Sequence, residues 1–142
     1  MTKEGHIIGY TTGVYDMFHV GHLNILKRAR ENCDYLIVGV STDETVMSYK
    51  NKTPVIPYEE RVEIVKAIRY VDEVVPQVSM DKFEAWKNLH YDILFHGDDW
   101  KGTDLYNKYE KQFSEVGVKI MYLPHTNGIS STKLTQVIKS LV

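Results

Sequence analysis

The chain has one cysteine, Cys33, among 142 residues. A single thiol cannot close an internal bridge, which excludes a secreted disulfide scaffold. At this length folding buries roughly two-thirds of the surface an unfolded chain exposes, so a hydrophobic core can hold one domain, residues 1–142, without staples. No apolar run approaches the roughly 18 residues of a membrane helix, and the N-terminal stretch has no apolar segment behind Lys3. The expectation is a protein neither exported nor inserted in a membrane, at home in a reducing cytoplasm. Positive charge is not in excess either. Seventeen Lys and Arg face nineteen Asp and Glu, a net charge of -2, which argues against a nucleic-acid partner. Any bound anion must be held by a local constellation. Internal repeats, low-complexity tracts and linkers are also missing. Cys33, just before an apolar run, reads as a small core residue.

What is present is alternation. Short β-branched apolar runs recur at Ile7–Tyr10, Tyr35–Val40, Val74–Val75, Ile93–Phe95 and Val118–Leu123, and each reads as a buried strand. Helical spacing fills the gaps, over Val20–Arg30, Tyr58–Ile68, Asp81–Leu89 and Asp104–Val116. Leu134, Val137, Ile138 and Leu141 form one stripe of a last helix. Strand and helix repeated about five times predict a Rossmann-like, three-layer α/β/α domain with a mainly parallel five-stranded sheet. Ser41–Pro57 lacks clear periodicity and reads as a functional loop.

Ligands in such sheets sit beyond the carboxyl ends of the strands, near helix N-termini. The first strand runs out in Thr11-Thr12-Gly13-Val14-Tyr15-Asp16, followed by His19-Val20-Gly21-His22 at a helix start. Two imidazoles three residues apart, with Gly21 leaving the backbone accessible, suit a triphosphate and the charge that develops when a phosphoryl group is transferred. The rival chemistry is a metal pair with Asp16 as a nearby third ligand, although structural zinc sites usually want four side chains. Gly97-Asp98-Asp99-Trp100 follows the fourth strand. Its carboxylates can bind ribose or base and can help hold Mg²⁺ through water, through Asp98 or Asp16, without direct side-chain ligation; an ordinary acidic turn has the same look. After the fifth strand come His125, Thr126, Asn127, Gly128, Ile129, Ser130, Ser131, Thr132 and Lys133, a hydroxyl-rich helix start that serves either capping or phosphate binding. Lys50, Lys52, Arg61, Arg69 and Lys101 are the cations able to neutralise a polyphosphate. Trp100 is either core or pocket wall.

Together these segments resemble the cytidylyltransferase family, most closely its bacterial glycerol-3-phosphate branch. The resemblance rests on Gly13–Asp16 with His19-Val20-Gly21-His22, on Ser41-Thr42-Asp43-Glu44, on Arg69-Tyr70-Val71-Asp72-Glu73-Val74-Val75-Pro76, on Gly97-Asp98-Asp99-Trp100 and on the final glycine-serine stretch. It implies a nucleotidyltransferase fold of the H-x-G-H type and in-line attack of a phosphorylated alcohol, glycerol 3-phosphate first, on the α-phosphorus of CTP. His19, His22 and Lys52 would be catalytic, with Mg²⁺ as cofactor. Gly13, Val14, Tyr15, Asp16, Gly21, Gly97, Asp98, Asp99, His125, Thr126, Gly128, Ile129, Ser130, Ser131 and Thr132 would hold the nucleotide. Lys50, Arg61, Arg69 and Trp100 would meet phosphates or acceptor, and the Arg69 segment would lie near the contact of a homodimer. The rivals are another polyol or amino-alcohol phosphate as acceptor, an adenylyltransferase, and a non-catalytic nucleotide-binding module. The chain departs from the family's R-T-E-G-I-S-T-T at His125 and Asn127, and His125 in place of arginine predicts CTP binding that tightens as pH falls.

Overall fold

Every one of the β-branched runs forms a strand in the computed structural model, which describes residues 6–124, 126 and 131–141. The strands are β1 (Ile8–Gly13), β2 (Tyr35–Ser41), β3 (Glu73–Gln77), β4 (Ile93–Gly97) and β5 (Lys119–Leu123). They make one all-parallel sheet in the order β3-β2-β1-β4-β5. Between them run α1 (Val20–Glu31), α2 (Asp43–Lys50), α3 (Tyr58–Lys66), α4 (Lys82–Leu89), α5 (Asp104–Ser114) and α6 (Ser131–Leu141), with a 3₁₀ turn at Asp98–Trp100.

Alternation along β2 divides the core. Leu36, Val38 and Val40 pack with Leu26 and Ala29 of α1 and Val65 of α3. Ile37 faces the other layer, with Tyr106, Tyr109 and Phe113 of α5. The β1 backbone is pressed so closely into the first layer that a Cβ at Gly9 would lie 2.5 Å from Phe95 Cε2 and 2.8 Å from Cys33 Sγ. Cys33 is buried there and donates to the Ala29 carbonyl. Three aspartates finish the amino rim of the sheet in the same way. Asp34, Asp72 and Asp92 each precede a strand, donate a backbone N–H to a carbonyl of the neighbouring segment (Ile7, Leu36 and Ile8) and accept that residue's own N–H at 2.8 Å.

The order of the strands reverses between β1 and β4, the position where open α/β sheets bind ligands. These two strands pair only at Gly9 with Ile93 and Tyr10 with Leu94. Both continue to Gly13 and Gly97, so a crevice opens between their carboxyl ends.

Three expectations are corrected. Ser41–Pro57 is not all loop, since it contains α2. Thr42 caps that helix by accepting from Thr45 N–H, Asp43 and Glu44 fill its first turn, and Asn51 closes it in the left-handed region. Its interior contact is little more than Val46, which leaves no apolar stripe to read. α3 ends at Lys66, so Arg69 lies in the turn beyond it, exposed, at the amino rim of the sheet. The α6 stripe is not core: Val137, Ile138 and Leu141 are 47%, 50% and 80% exposed, and α6 meets the body through its first turns, where Leu134 and Thr135 are half-buried.

Candidate active site

A cavity of about 350 Å³ occupies the crevice. Its floor is the end of β1, Thr11–Gly13, and the turn Val14–Asp16, and one wall is the start of α1. The turn is forced: Tyr15 and Met17 take φ of 57° and 47°, the left-handed region that costs a non-glycine residue of order 1 kcal/mol or more. Tyr15 is held there by burial, with its ring against Phe18 and edge-on to His22. Its ring also needs Gly13, where a Cβ would stand 3.0 Å from two ring carbons.

His19 and His22 cap α1 for each other. His19 Nδ1 accepts from Gly21 N–H at 3.0 Å and His22 Nδ1 accepts from His19 N–H at 3.2 Å, a capping box built from imidazoles. Acceptance at Nδ1 assigns both rings, when neutral, to the Nε2–H tautomer. The rings stack with centroids 3.9 Å apart. Burial lowers the pKa of His19, and burial together with His19 lowers that of His22 to about 4 against the opposing pull of Asp16. Both imidazoles are therefore neutral donors at pH 7. Among the described residues, the buried His19 Nε2 has no hydrogen-bond partner, a polar atom on the wall of an anion-sized cavity.

The second wall is the strap after α2. Lys50 and Lys52 line the cavity, and the Lys50 pKa is lowered by desolvation and by Lys52, with Asp16 opposing. Asp16 fixes the strap by accepting the backbone N–H groups of Val55 and Ile56, both at 2.8 Å. Arg61 fixes it from below and is corrected as a phosphate ligand. It is fully buried, outside the cavity, and its guanidinium is engaged by the carbonyls of Ile56, Val14 and Ser41 and by Asp43 at 2.7 Å. A cation at 0% exposure survives only when its donors are matched in this way.

The far wall comes from β4 and α6. Gly97, Asp99 and Trp100 line the cavity, and Asp98 does not. Trp100 is 40% exposed, a wall rather than core. His96, which the sequence motifs passed over, lines it too. It accepts Gly97 N–H at Nδ1 and packs against Trp100 and Tyr106. Alternation along β4 was the available signal, since Phe95 points to one core and His96 to the opposite side. Thr126 is held by Asn24, whose Nδ2 donates to its Oγ1 at 2.9 Å, and it lines the cavity with Thr132 and Thr135. Arg69 and Lys101 are elsewhere: Arg69 at the opposite rim, Lys101 exposed with its ammonium over the Tyr122 ring. The expected sites at His125, Gly128, Ile129, Ser130 and the Ser131 side chain lie outside the described residues.

The cytidylyltransferase-like family model matches residues 10–137, from β1 into α6. The chain belongs to the cytidylyltransferase-like family. It is 38% identical over 138 residues to glycerol-3-phosphate cytidylyltransferase of Bacillus subtilis (strain 168), a match covering 92% of this chain and 96% of that protein. It is 34% identical over 143 residues to FAD synthase of Thermococcus sibiricus, covering 100% and 97%. Among solved structures, the lipopolysaccharide core biosynthesis protein of Thermoplasma volcanium superposes with a TM-score of 0.72 at 23% identity, over 88% of this chain and all of that one, a likeness of fold. The chain is thus a nucleotidyltransferase with a cytidylyltransferase-like domain. Among the described residues, no helix is long and apolar enough to cross a membrane.

Proposed function

We propose that this enzyme transfers CMP from CTP to a small phosphorylated alcohol, glycerol 3-phosphate, releasing pyrophosphate and forming CDP-glycerol in the cytoplasm. The observation that carries the reading is the buried Nε2 of His19, without a hydrogen-bond partner among the described residues, beside His22 on the wall of a cavity that Lys50 and Lys52 also line. A neutral imidazole N–H stabilises charge growing on a phosphoryl oxygen with little reorganisation, because its direction is already fixed by the capping bond at Nδ1. An oxygen of the acceptor phosphate forms the new bond to the α-phosphorus as the bond to the β-phosphate oxygen breaks, and the electron pair leaves with pyrophosphate. Lys52 and Lys50 balance the charge on either side of that centre, and no covalent enzyme intermediate is required.

The carboxylates suit a Mg²⁺ that arrives on the triphosphate. Among the described residues no three metal-ligating side chains cluster, whereas Asp99 and Asp16 line the cavity singly, and Mg²⁺ commonly takes one or two carboxylates with the rest from phosphate and water. It would supply neutralisation of the leaving pyrophosphate. We place the enzyme in a homodimer, in which Arg69, exposed and away from its own cavity, faces a second chain.

The test is pyrophosphate release with Mg²⁺, CTP and glycerol 3-phosphate, beside ATP and beside phosphocholine, phosphoethanolamine and longer polyol phosphates. Release confined to CTP with glycerol 3-phosphate, and lost in His19→Ala, is expected. Turnover of ATP, or of another acceptor in preference, overturns the substrate assignment.

A further inference from the structure

A second pocket, of about 200 Å³, lies between the end of the edge strand β3 and α4 and shares no residue with the catalytic cavity. It is far larger than the roughly 10–15 Å³ that one water requires. Its apolar side is formed by Tyr10, Val75 and Leu89. Tyr10 lies across β2, so that a Cβ at Gly39 would come within 2.5 Å of its hydroxyl. At its inner end is Gln77, 5% exposed. Gln77 Oε1 accepts from Ser41 Oγ at 2.7 Å, and the buried Gln77 Nε2 has no partner among the described residues. Turning the amide over does not cure this, because one of its two polar atoms then meets Ser41 and the other is left over. A hydroxyl, which both donates and accepts, satisfies the leftover atom in either orientation.

The rim supplies the other half of the specificity. Asp81 and Glu84 line it, and no lysine or arginine does. Asp81 already accepts the N–H groups of Phe83 and Glu84 as the cap of α4, and Glu84 makes only a loose, exposed pair with Lys87 at 3.5 Å. The buried Lys82 ammonium lies in the field of Asp81 and Lys87 pairs loosely with Glu84, but neither lysine lines the pocket. The two lining carboxylates therefore disfavour a phosphate there and favour an ammonium group. We infer that the β3–α4 pocket is a second binding site, separate from the catalytic cavity, for a small unphosphorylated amino alcohol whose hydroxyl pairs with the Gln77 amide and whose ammonium lies toward Asp81 and Glu84.

The experiment titrates the full ¹⁵N-labelled chain with ethanolamine at fixed pH and ionic strength and follows the Gln77 side-chain amide together with the Val75 and Val78 backbone amides. A saturable shift in the millimolar range is expected. Propylamine, which lacks the hydroxyl, is expected to bind at least about tenfold more weakly, the equivalent of one lost hydrogen bond of about 1.4 kcal/mol. Glycerol 3-phosphate is expected to leave these three signals in place. Ala85→Met, which fills the pocket from α4, abolishes the shift; Gln77→Leu, followed at Val75 and Val78, reduces ethanolamine to the affinity of propylamine. The inference is overturned by a linear, unsaturable response to ethanolamine, by equal affinity for propylamine, or by binding that survives Ala85→Met. It is equally overturned if contacts from the Gln77 amide run only to water or to a second copy of the chain. None of these readouts depends on turnover, so their failure is separate from failure of the proposed reaction.

Discussion

Stability between pH 4 and 7 measures the imidazole cap directly. In the unfolded chain His22 takes up a proton near pH 6.5, while in the folded chain burial and the neighbouring His19 hold that event down to about pH 4. Between these values the unfolded state binds more protons, so stability rises with pH and is lost as pH falls through the window. Two and a half pH units at about 1.4 kcal/mol each set the limit, and at pH 4, where the folded imidazole is itself half protonated, the loss is about 3 kcal/mol relative to pH 7.5. The same proton must also be accommodated at Nδ1, where His22 accepts from His19 N–H, so protonation breaks that capping bond. His22→Gln separates the two effects. Glutamine at the third helical position is a standard partner in a capping box and accepts the same N–H without titrating.

Urea unfolding of both proteins from pH 7.5 to 4 is the assay. The carboxylates are common to both, so the difference in slope reports His22 together with the coupled neighbour His19. The variant is expected to be the less pH-sensitive by about 3 kcal/mol at pH 4. Parallel curves would mean that the folded imidazole titrates near its ordinary value, and the assignment of His22 as a neutral donor at the catalytic cavity would fall with them.

Two further substitutions test how the site is supported. Arg61→Met keeps the bulk but strands the carbonyls of Val14, Ser41 and Ile56 and leaves Asp43 without its guanidinium; a destabilisation of about 3–5 kcal/mol in urea is expected, and a loss under 1 kcal/mol would show that the buried charge is not holding these segments. Gly9→Ala drives a methyl into Phe95 and Cys33 and is expected to cost about 1–3 kcal/mol by calorimetry, with an unchanged melting temperature refuting the close packing of β1.

The parts of this site that could be read from the sequence are those whose geometry is local. His19 and His22 stand three residues apart, and that separation alone places both at one helix start, so their pairing follows from the spacing. The strands could be read because each carries a short apolar run, longest in β2, which is buried almost throughout, while the edge strands β3 and β5 are only partly buried. Even the three rim aspartates stand immediately before their strands, a recurrence visible in Cys33-Asp34-Tyr35, Val71-Asp72-Glu73 and Tyr91-Asp92-Ile93. Arg61 could not be read. Its partners at Val14, Ser41 and Asp43 are 18 to 47 residues away, and an arginine on an amphipathic helix has the same local signature whether it meets solvent or disappears beneath four acceptors.

The misassignment of Arg61 also bears on what the cations of this chain are for. A permanent positive charge completely enclosed by backbone carbonyls and one carboxylate cannot reach a phosphate, but it can decide where other charges stand. Arg61 grips Ile56 from one side while Asp16 grips Val55 and Ile56 from the other, and between α2 and this clamp runs the strap that carries Lys52. Asp16 is thereby occupied with the strap as well as with the cavity it lines. Substitution of Asp16 and loss of Lys52 are for this reason not independent perturbations: residues that share one backbone segment couple, and their effects on turnover fall short of additivity. The cavity-lining lysines lie at and just beyond the end of α2, the segment that is hardest to predict, and the charges that fix the strap lie in the helix and turn that are easiest to predict, which is why the motif residues were legible while their division of labour was not.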